Sequence, residues 1–417
     1  MEAAEQEEAE RRHAYPHGPR LRGDFARDYS YNHTFPLIAT SYSTQRIVRV
    51  DDFLPSSEDI DHTMAFKRAW RTICSSKVGG ILLVPKNTTY RVKPIKFGGP
   101  CRSFFTFKVL GTIEASTNLE DYKGRQDWLL FRNVNNFKVD GGGTIDGKGR
   151  LWWSNSCKVN KSKALSFTAC NNFTLDGLSL TNAQQMHLTI RRSSYVRALN
   201  LDIKAPKNSP NTDGIHISGT RNIHIQNALI GTGDDCISIV DGSKYVQIED
   251  IICGPGHGIS IGGLGKGYSK NHVSNIVVRR ARLFETSNGV RIKTWQGGSG
   301  HAKNIAFYNI TMQNVSNPII IDQQYCDQNK PCTEKKSAVV VDNVLYKNIK
   351  GTSATNIAIK LKCDKSRGCK RIVLEDIYLV NHREGKNVTT DCHNVNLTQR
   401  EFISPKCLPH NDSLIFL

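Results

Sequence analysis

Four short segments with one cadence recur between Asn211 and Lys293, and they restrict the fold more than any other feature of the chain. Gly214-Ile-His-Ile-Ser218, Cys236-Ile-Ser-Ile-Val240, Gly258-Ile-Ser-Ile-Gly262 and Gly289-Val-Arg-Ile-Lys293 are all β-branched and alternating. They begin at 214, 236, 258 and 289, so the successive spacings are 22, 22 and 31 residues. Segments that repeat at such a period cannot bury their apolar face alone; they do so by stacking on their neighbours. A second element recurs beside them. It reads Asn136-Phe-Lys-Val139, Asn172-Phe-Thr-Leu175, Asn222-Ile-His-Ile225, Asn275-Ile-Val-Val278 and Asn304-Ile-Ala-Phe307. Tyr195, Tyr245 and Arg371 lead the same pattern where the Asn is missing. A β-sandwich, with strands recurring about every 8–12 residues, rarely alternates two strand types in fixed order over many cycles. The expected fold is therefore all-β, a right-handed parallel β-helix (a solenoid). Ile215, Ile237, Ile259 and Val290 should stack in its core, and the repeated Asn should form hydrogen-bonded ladders at equivalent turns.

The rest of the chain fits around that solenoid. Residues 1–45 are polar and aperiodic and read as a flexible tail. Asp59 to Ser76 carries Ile60, Met64, Ala65, Phe66, Ala69, Trp70 and Ile73 at helical spacing, which predicts a short helix capping the open end. Ile81-Leu-Leu-Val-Pro85 follows as a first strand. The β-helix is expected over 46–385 and a C-terminal tail or cap over 386–417.

The net charge of +18 points to a soluble basic surface or to a polyanionic partner, either nucleic acid or an acidic polysaccharide. Zinc-finger, helix-turn-helix and RNA-binding signatures are missing, so no motif supports nucleic acid. No apolar run approaches the length of a membrane span. Twelve cysteines include Cys326/Cys332, Cys363/Cys369, Cys236/Cys253 and Cys392/Cys407, which are spaced as local loop-closing disulfides. Cys74, Cys101, Cys157 and Cys170 have no evident partners, and no C-x2-C pair suggests zinc. These cysteines and nine N-x-S/T sequons favour export. The opening stretch, Met1-Glu-Ala-Ala-Glu-Gln-Glu-Glu-Ala-Glu10, shows no signal-like apolar segment. Weighed together, the expectation is a secreted monomer.

The chemistry sits on the repeat. Asp213 and Asp235 lie two residues before Ile215 and Ile237, and His257 lies two before Ile259, so all three should stack on successive coils about 4.8 Å apart. Arg291 and Lys293 alternate with Val290 and Ile292 and should point outward. With Asp234, three carboxylates crowd one place. Like charges at short range raise at least one pKa, and an acid beside a base is what cleavage of a glycosidic bond requires. Two cations on the same face suit a substrate carboxylate, which Arg can bind bidentately.

Ser209-Pro-Asn-Thr-Asp-Gly214, Thr232-Gly-Asp-Asp-Cys236, Gly254-Pro-Gly-His-Gly258 and Arg291-Ile-Lys-Thr-Trp-Gln-Gly297 resemble, in order and spacing, the motifs of glycoside hydrolase family 28, the polygalacturonases, and most of all its plant members. The resemblance spans roughly residues 45 to 410. It implies a parallel β-helix that hydrolyses α-1,4-galacturonosidic bonds of pectin by single displacement with inversion, without a cofactor. It implies Asp234 as general acid, Asp213 and Asp235 as the pair that holds and activates water, and His257 as the residue that tunes the acid. Arg291 and Lys293 would grip the galacturonate carboxylate, Asn211 would orient Asp213 or a sugar hydroxyl, and Tyr325 would contact substrate. The partner so implied is an acidic polysaccharide, with neither nucleic acid nor membrane. Three rival readings are another β-helix hydrolase such as a rhamnogalacturonan hydrolase, a Ca2+-dependent pectate lyase, and a wall protein that only binds pectin.

Overall fold

A computed structural model describes residues 46–55, 61–154, 162–327, 332, 335, 338–383 and 385–408. The expected N-terminal tail and Cys157 lie outside these residues. The described chain is a right-handed parallel β-helix. Its strands form a 17-stranded sheet and an 11-stranded sheet, and every pairing inside the two sheets is parallel. No helix among the described residues is long and apolar enough to cross a membrane.

Each coil contributes one short strand to the 11-stranded sheet; to the other it contributes two short strands in the N-terminal coils and one longer, bent strand from Ser194 onward. The repeat that opened the sequence reading is the short strand: Ile215–Ser218, Ile237–Ile239, Ile259–Leu264, Val290–Thr294 and Ile319–Asp322 are adjacent rungs. Ile215 pairs with Ile237, Ile237 with Ile259, Ile259 with Val290 and Val290 with Ile319, and all five are fully buried. The interior column is therefore the predicted aliphatic stack. Toward the N-terminal end this column runs on through Leu188, Leu165 and Leu129, while neighbouring interior columns become aromatic, which the sequence reading did not single out. Phe137 stacks on Phe173 with centroids 5.1 Å apart, and Phe131 on Phe167 at 5.0 Å.

The Asn slot marks a bend. Asn136, Asn172, Tyr195, Asn222, Tyr245, Asn275, Asn304, Asn343 and Arg371 all have φ between 50° and 60°, the left-handed region that Asn tolerates best among residues with a Cβ. Asn172 donates to Asn136 at 2.8 Å, Asn304 to Asn275 at 2.9 Å and Asn343 to Asn304 at 2.9 Å. A second left-handed column, including Asn200, Asn227, Asn309 and Asn348, bends the same strands again and carries its own Asn–Asn bonds. Two bends per strand let a chain with one covalent geometry turn the corners of the coil.

The predicted helix forms over Thr63–Cys74. Ala65, Phe66, Ala69, Trp70 and Ile73 are buried, whereas Met64 faces solvent, one step off the apolar stripe. Trp70 packs on Phe97, Phe105 and Phe131 and donates to the Gly98 carbonyl at 3.1 Å. The helix thus closes over the first rungs. Cys74 is bonded to Cys101, which ties the helix to them and pairs two cysteines the sequence left open. Cys236–Cys253, Cys326–Cys332, Cys363–Cys369 and Cys392–Cys407 form as their spacings suggested, and Cys170 is a buried free thiol. At the other end the rungs run on beyond residue 385. Thr389–His393 pairs with Ile357–Lys362, and Val395–Ser404 pairs with Cys369–Asn381. Backbone donors and acceptors of the preceding rung remain to be paired there, so the chain continues the ladder up to Ser404.

Candidate active site

Register places Asp213, Asp235 and His257 at the same point on three adjacent coils, each two residues ahead of its buried isoleucine. Backbone bonds hold this edge together: the Gly214 amide donates to the Asp235 carbonyl at 2.9 Å, and the Cys236 amide to the Gly258 carbonyl at 2.8 Å. Glycine makes the close stacking possible. Gly258 has φ +83°, and a Cβ there would lie 2.0 Å from the Asn288 carbonyl oxygen. A Cβ on Gly233 would lie 1.9 Å from the Ser209 carbonyl oxygen. The glycines flanking Asp234 and His257 are therefore spacing requirements of the rung-to-rung approach.

Asp234 sits at the centre. Its Oδ1 accepts from His257 Nδ1 at 3.1 Å and from the Asp235 amide at 2.8 Å, and its Oδ2 accepts from Asn211 Nδ2 at 3.2 Å. Asn211 thus bears on Asp234, whereas the sequence reading had it orienting Asp213 or a sugar. Burial pushes the Asp234 carboxyl up, but the His257 hydrogen bond and charge, the Asp235 amide and Lys293 outweigh it and hold it below the ordinary carboxylate range. His257 answers in the opposite direction. Its bond to Asp234 raises it, burial opposes, and the charges of Asp234 and Asp235 add to the rise. Each thus favours the charged form of the other. The His257 side chain is 43% exposed, so its ring stands at the open side of the site.

Asp213 and Asp235 are buried carboxylates with parallel support. Ser238 Oγ donates to Asp213 Oδ2 at 2.6 Å, and His216 Nδ1 lies 2.8 Å from the same serine oxygen. One coil on, Ser260 Oγ donates to Asp235 Oδ1 at 2.8 Å and Arg291 Nε donates to Ser260 Oγ at 2.9 Å. The motif is the same, a nitrogen donor reaching a carboxylate through a serine, with Arg replacing His. Burial raises Asp213; the bond to His216 opposes, and the charges of Asp234 and Asp235 add to the rise. This is the crowded carboxylate that the sequence anticipated.

Arg291 and Lys293 do point outward from the strand, but they are not bare cations. Arg291 Nη2 donates to Asp235 Oδ1 at 2.7 Å and Lys293 Nζ to Asp235 Oδ2 at 3.0 Å. Lys293 also lies 5.2 Å from the Tyr325 ring centre, and Tyr325 stands edge-on to Trp295 at 5.4 Å. All eight residues picked from the sequence therefore fall in one cluster, which runs from the leading edge of the 11-stranded sheet along its rungs to just past their far end. Ser238, Ser260 and His216 were missed. Their signal was present: each lies three residues after Asp235, His257 or Asp213, at the outward position between two buried isoleucines. His187 was missed too. Its amide and Nδ1 reach the Asp213 carbonyl at 2.9 and 3.1 Å, and burial pushes its pKa down to about 4, so a neutral ring pins the Asp213 backbone.

Asp234, Asp235 and His257 place ligand atoms within 4.8 Å of one another, as a metal site would. Yet Asp235 spends both oxygens on Arg291, Lys293 and Ser260, and two neighbouring cations oppose a third. The donor set suits protons and an anionic ligand better than a hard cation, which seeks free carboxylate oxygens.

A family model described as glycosyl hydrolases family 28 matches residues 74–404. The chain belongs to that family, and it is a glycoside hydrolase. It is 50% identical over 373 residues to polygalacturonase QRT2 of Arabidopsis thaliana, covering 88% of this chain and 85% of that protein. It is likewise 50% identical over 351 residues to polygalacturonase-2 of Solanum lycopersicum, covering 82% and 77%. Among solved structures, an endo-xylogalacturonan hydrolase from Aspergillus tubingensis superposes with a TM-score of 0.74 at 21% identity, over 86% of this chain and all of that one. The polygalacturonase from Erwinia carotovora gives 0.70 at 21% identity, over 86% and 98%. These two share the β-helix with this family 28 hydrolase.

Proposed function

We propose that this family 28 hydrolase is a polygalacturonase, cleaving α-1,4-galacturonosidic bonds of pectin by single displacement with inversion. One observation carries the reading: on four adjacent rungs, a hydrogen-bonded Asp234–His257 pair is bracketed by the buried carboxylates Asp213 and Asp235, beside the cations Arg291 and Lys293. Half identity to plant proteins named polygalacturonase supports the substrate.

The roles follow from the contacts. Asp234 protonates the leaving oxygen. His257 holds the proton at rest and returns it as the sugar displaces water and disfavours a separated charge pair. Asp213 and Asp235 hold the attacking water, and Asp213 is the one best able to accept its proton, because Asp235 is already engaged by two cations. The substrate carboxylate meets Arg291 and Lys293, and Tyr325 lines the site beside them. Asn211 steadies Asp234. The five disulfides suit an oxidising compartment, and the reading includes secretion to the cell wall as a monomer.

The test is a product profile on polygalacturonate followed by NMR of the first-formed anomer. Saturated oligogalacturonates released with inverted configuration are expected. Unsaturated products absorbing in the ultraviolet, together with loss of activity in EDTA, would replace hydrolysis by elimination.

A further inference from the structure

At the start of the 17-stranded sheet's strands, just after the chain leaves each rung of the 11-stranded sheet, the left-handed column changes character. The Asn–Asn bonds run from Asn136 to Asn172 and from Asn275 through Asn304 to Asn343. Between those two runs, register puts Tyr195, Asn222 and Tyr245 in the column. Tyr195 has φ 56° and is 47% exposed; Tyr245 has φ 57° and is 42% exposed. A bulky residue in the left-handed region is strained, and an exposed tyrosine recovers little by burial. Asparagine occupies the same column on neighbouring coils, so the bend itself does not require tyrosine.

The column one residue earlier is basic over the same coils. Arg221 and Lys244 are adjacent rungs, with Lys303 two rungs beyond Lys244, and all three are exposed. Arg192 is exposed at the preceding turn. Among the described residues, none of these four has a carboxylate at ion-pair distance. Asp241 is the acid of this neighbourhood, and it accepts from the His272 amide. Arg291 and Lys293 differ in being neutralised by Asp235. So the positive charge that the sequence read as polyanion attraction is unspent here, eight residues of chain beyond Asp213 and across the width of the strand.

We propose that Tyr195, Tyr245, Arg221 and Lys244 form a second binding strip for an acidic polysaccharide, outside the catalytic groove. The inference rests on the pectin reading above for the identity of that polysaccharide. The two tyrosines stand two rungs apart, about 9–10 Å, which is of the order of a disaccharide repeat in a 1,4-linked chain. Their faces suit pyranose rings, and the basic column runs alongside to meet the uronate groups. A polymer held at the strip keeps the enzyme on the wall between cleavages, as a linked second site raises the effective concentration of the first.

The test compares the parent with Tyr195→Asn/Tyr245→Asn, which restores the ladder residue, and with Arg221→Ser/Lys244→Ser. Retention on insoluble de-esterified pectate is measured in the Asp234→Asn background, and kinetics on a soluble trigalacturonate in the active one. Each double variant is expected to bind pectate at least about fivefold more weakly, with the charge pair also losing salt sensitivity. Trimer kcat/KM should stay within about twofold, since a trimer is too short to reach the strip from the groove. Unchanged retention overturns the strip. So does an equal loss on the trimer, which would make these residues part of the groove, or equal retention of the parent on duplex DNA that both variants lose. A parent that binds pectate through the strip yet releases no sugar from polygalacturonate would sink the polygalacturonase reading while leaving the strip standing.

Discussion

The same coils carry contrasting electrostatics at a leading edge, where the chain enters the 11-stranded sheet, and at a trailing one, where it leaves that sheet and enters the 17-stranded sheet. At the leading edge, stacked acids and bases neutralise one another: Asp235 takes Arg291 and Lys293, and Asp234 takes His257. At the trailing edge, Arg221 and Lys244 stand exposed, without such partners among the described residues. Net charge is a property of the whole surface and says little about where a substrate is held. The groove binds through geometry, with each ionised group held by fixed neighbours, so it can distinguish protonation states. The trailing edge offers a field without that internal bracing.

The comparison can be broken most sharply at its centre. Asp234→Asn removes the group proposed to deliver the proton and should lower kcat on polygalacturonate on the order of a thousandfold, with an unchanged melting temperature. Substantial residual turnover would dismiss Asp234 as the acid. Lys293→Ala should follow, with kcat/KM on de-esterified pectin falling by roughly a hundredfold, because a hydrogen-bonded charge facing a carboxylate is worth a few kcal/mol. Equal effects on fully methyl-esterified pectin would show that Lys293 serves Asp235 alone.

The pH profile sharpens the same contrast. On the proposed mechanism, hydrolysis needs Asp213 ionised and the Asp234–His257 pair protonated. Asp213 is raised, so the acid limb of kcat/KM should lie above the ordinary Asp value of about 3.9. His257 is raised, so the alkaline limb should lie above about 6.5. Ser238→Ala, which breaks the link from His216 to Asp213, should move the acid limb alone. A displaced alkaline limb in that variant would place Ser238 in the other pair.

Stability has its own pH signature. The folded pKa of His187, about 4, lies below that of a free imidazole. The unfolded chain therefore binds more protons between the two values, and stability falls as pH drops from about 6.5 toward 4, being fully present above that window. His187→Gln should flatten this part of a plot of melting temperature against pH. The smallest effect is expected at the trailing corner: Asn304→Ala removes ladder hydrogen bonds and should destabilise by about 1 kcal/mol by denaturant unfolding, leaving activity unchanged.

Much of this was legible in the chain because a β-helix turns sequence period into spatial neighbourhood. Once the strands starting at 214, 236, 258 and 289 were taken as rungs, Asp213, Asp235 and His257 had to stack, and Ile215, Ile237, Ile259 and Val290 had to form a core. The local disulfides could be read for the same reason, since each closes one loop. Cys74–Cys101 could not, because it joins the capping helix to a rung and neither residue carries a periodic signal. The run of rungs beyond residue 385 was hidden as well: its strands are short and polar, and they are strands because the preceding rung offers unpaired backbone.

By itself, then, the sequence determined the architecture, the family and which side chains meet, because spacing and register carry that information. Only the tertiary structure decided what those side chains do to one another. A proton's position depends on burial and on sub-ångström distances among several groups at once, and neither is written in a period of 22 residues. So Asp234 is held below its ordinary range by His257 and His257 above its own by Asp234, Asp235 is occupied by the two cations the sequence assigned to substrate, and Asp213 is held by a serine, two histidines and the charge of its neighbours.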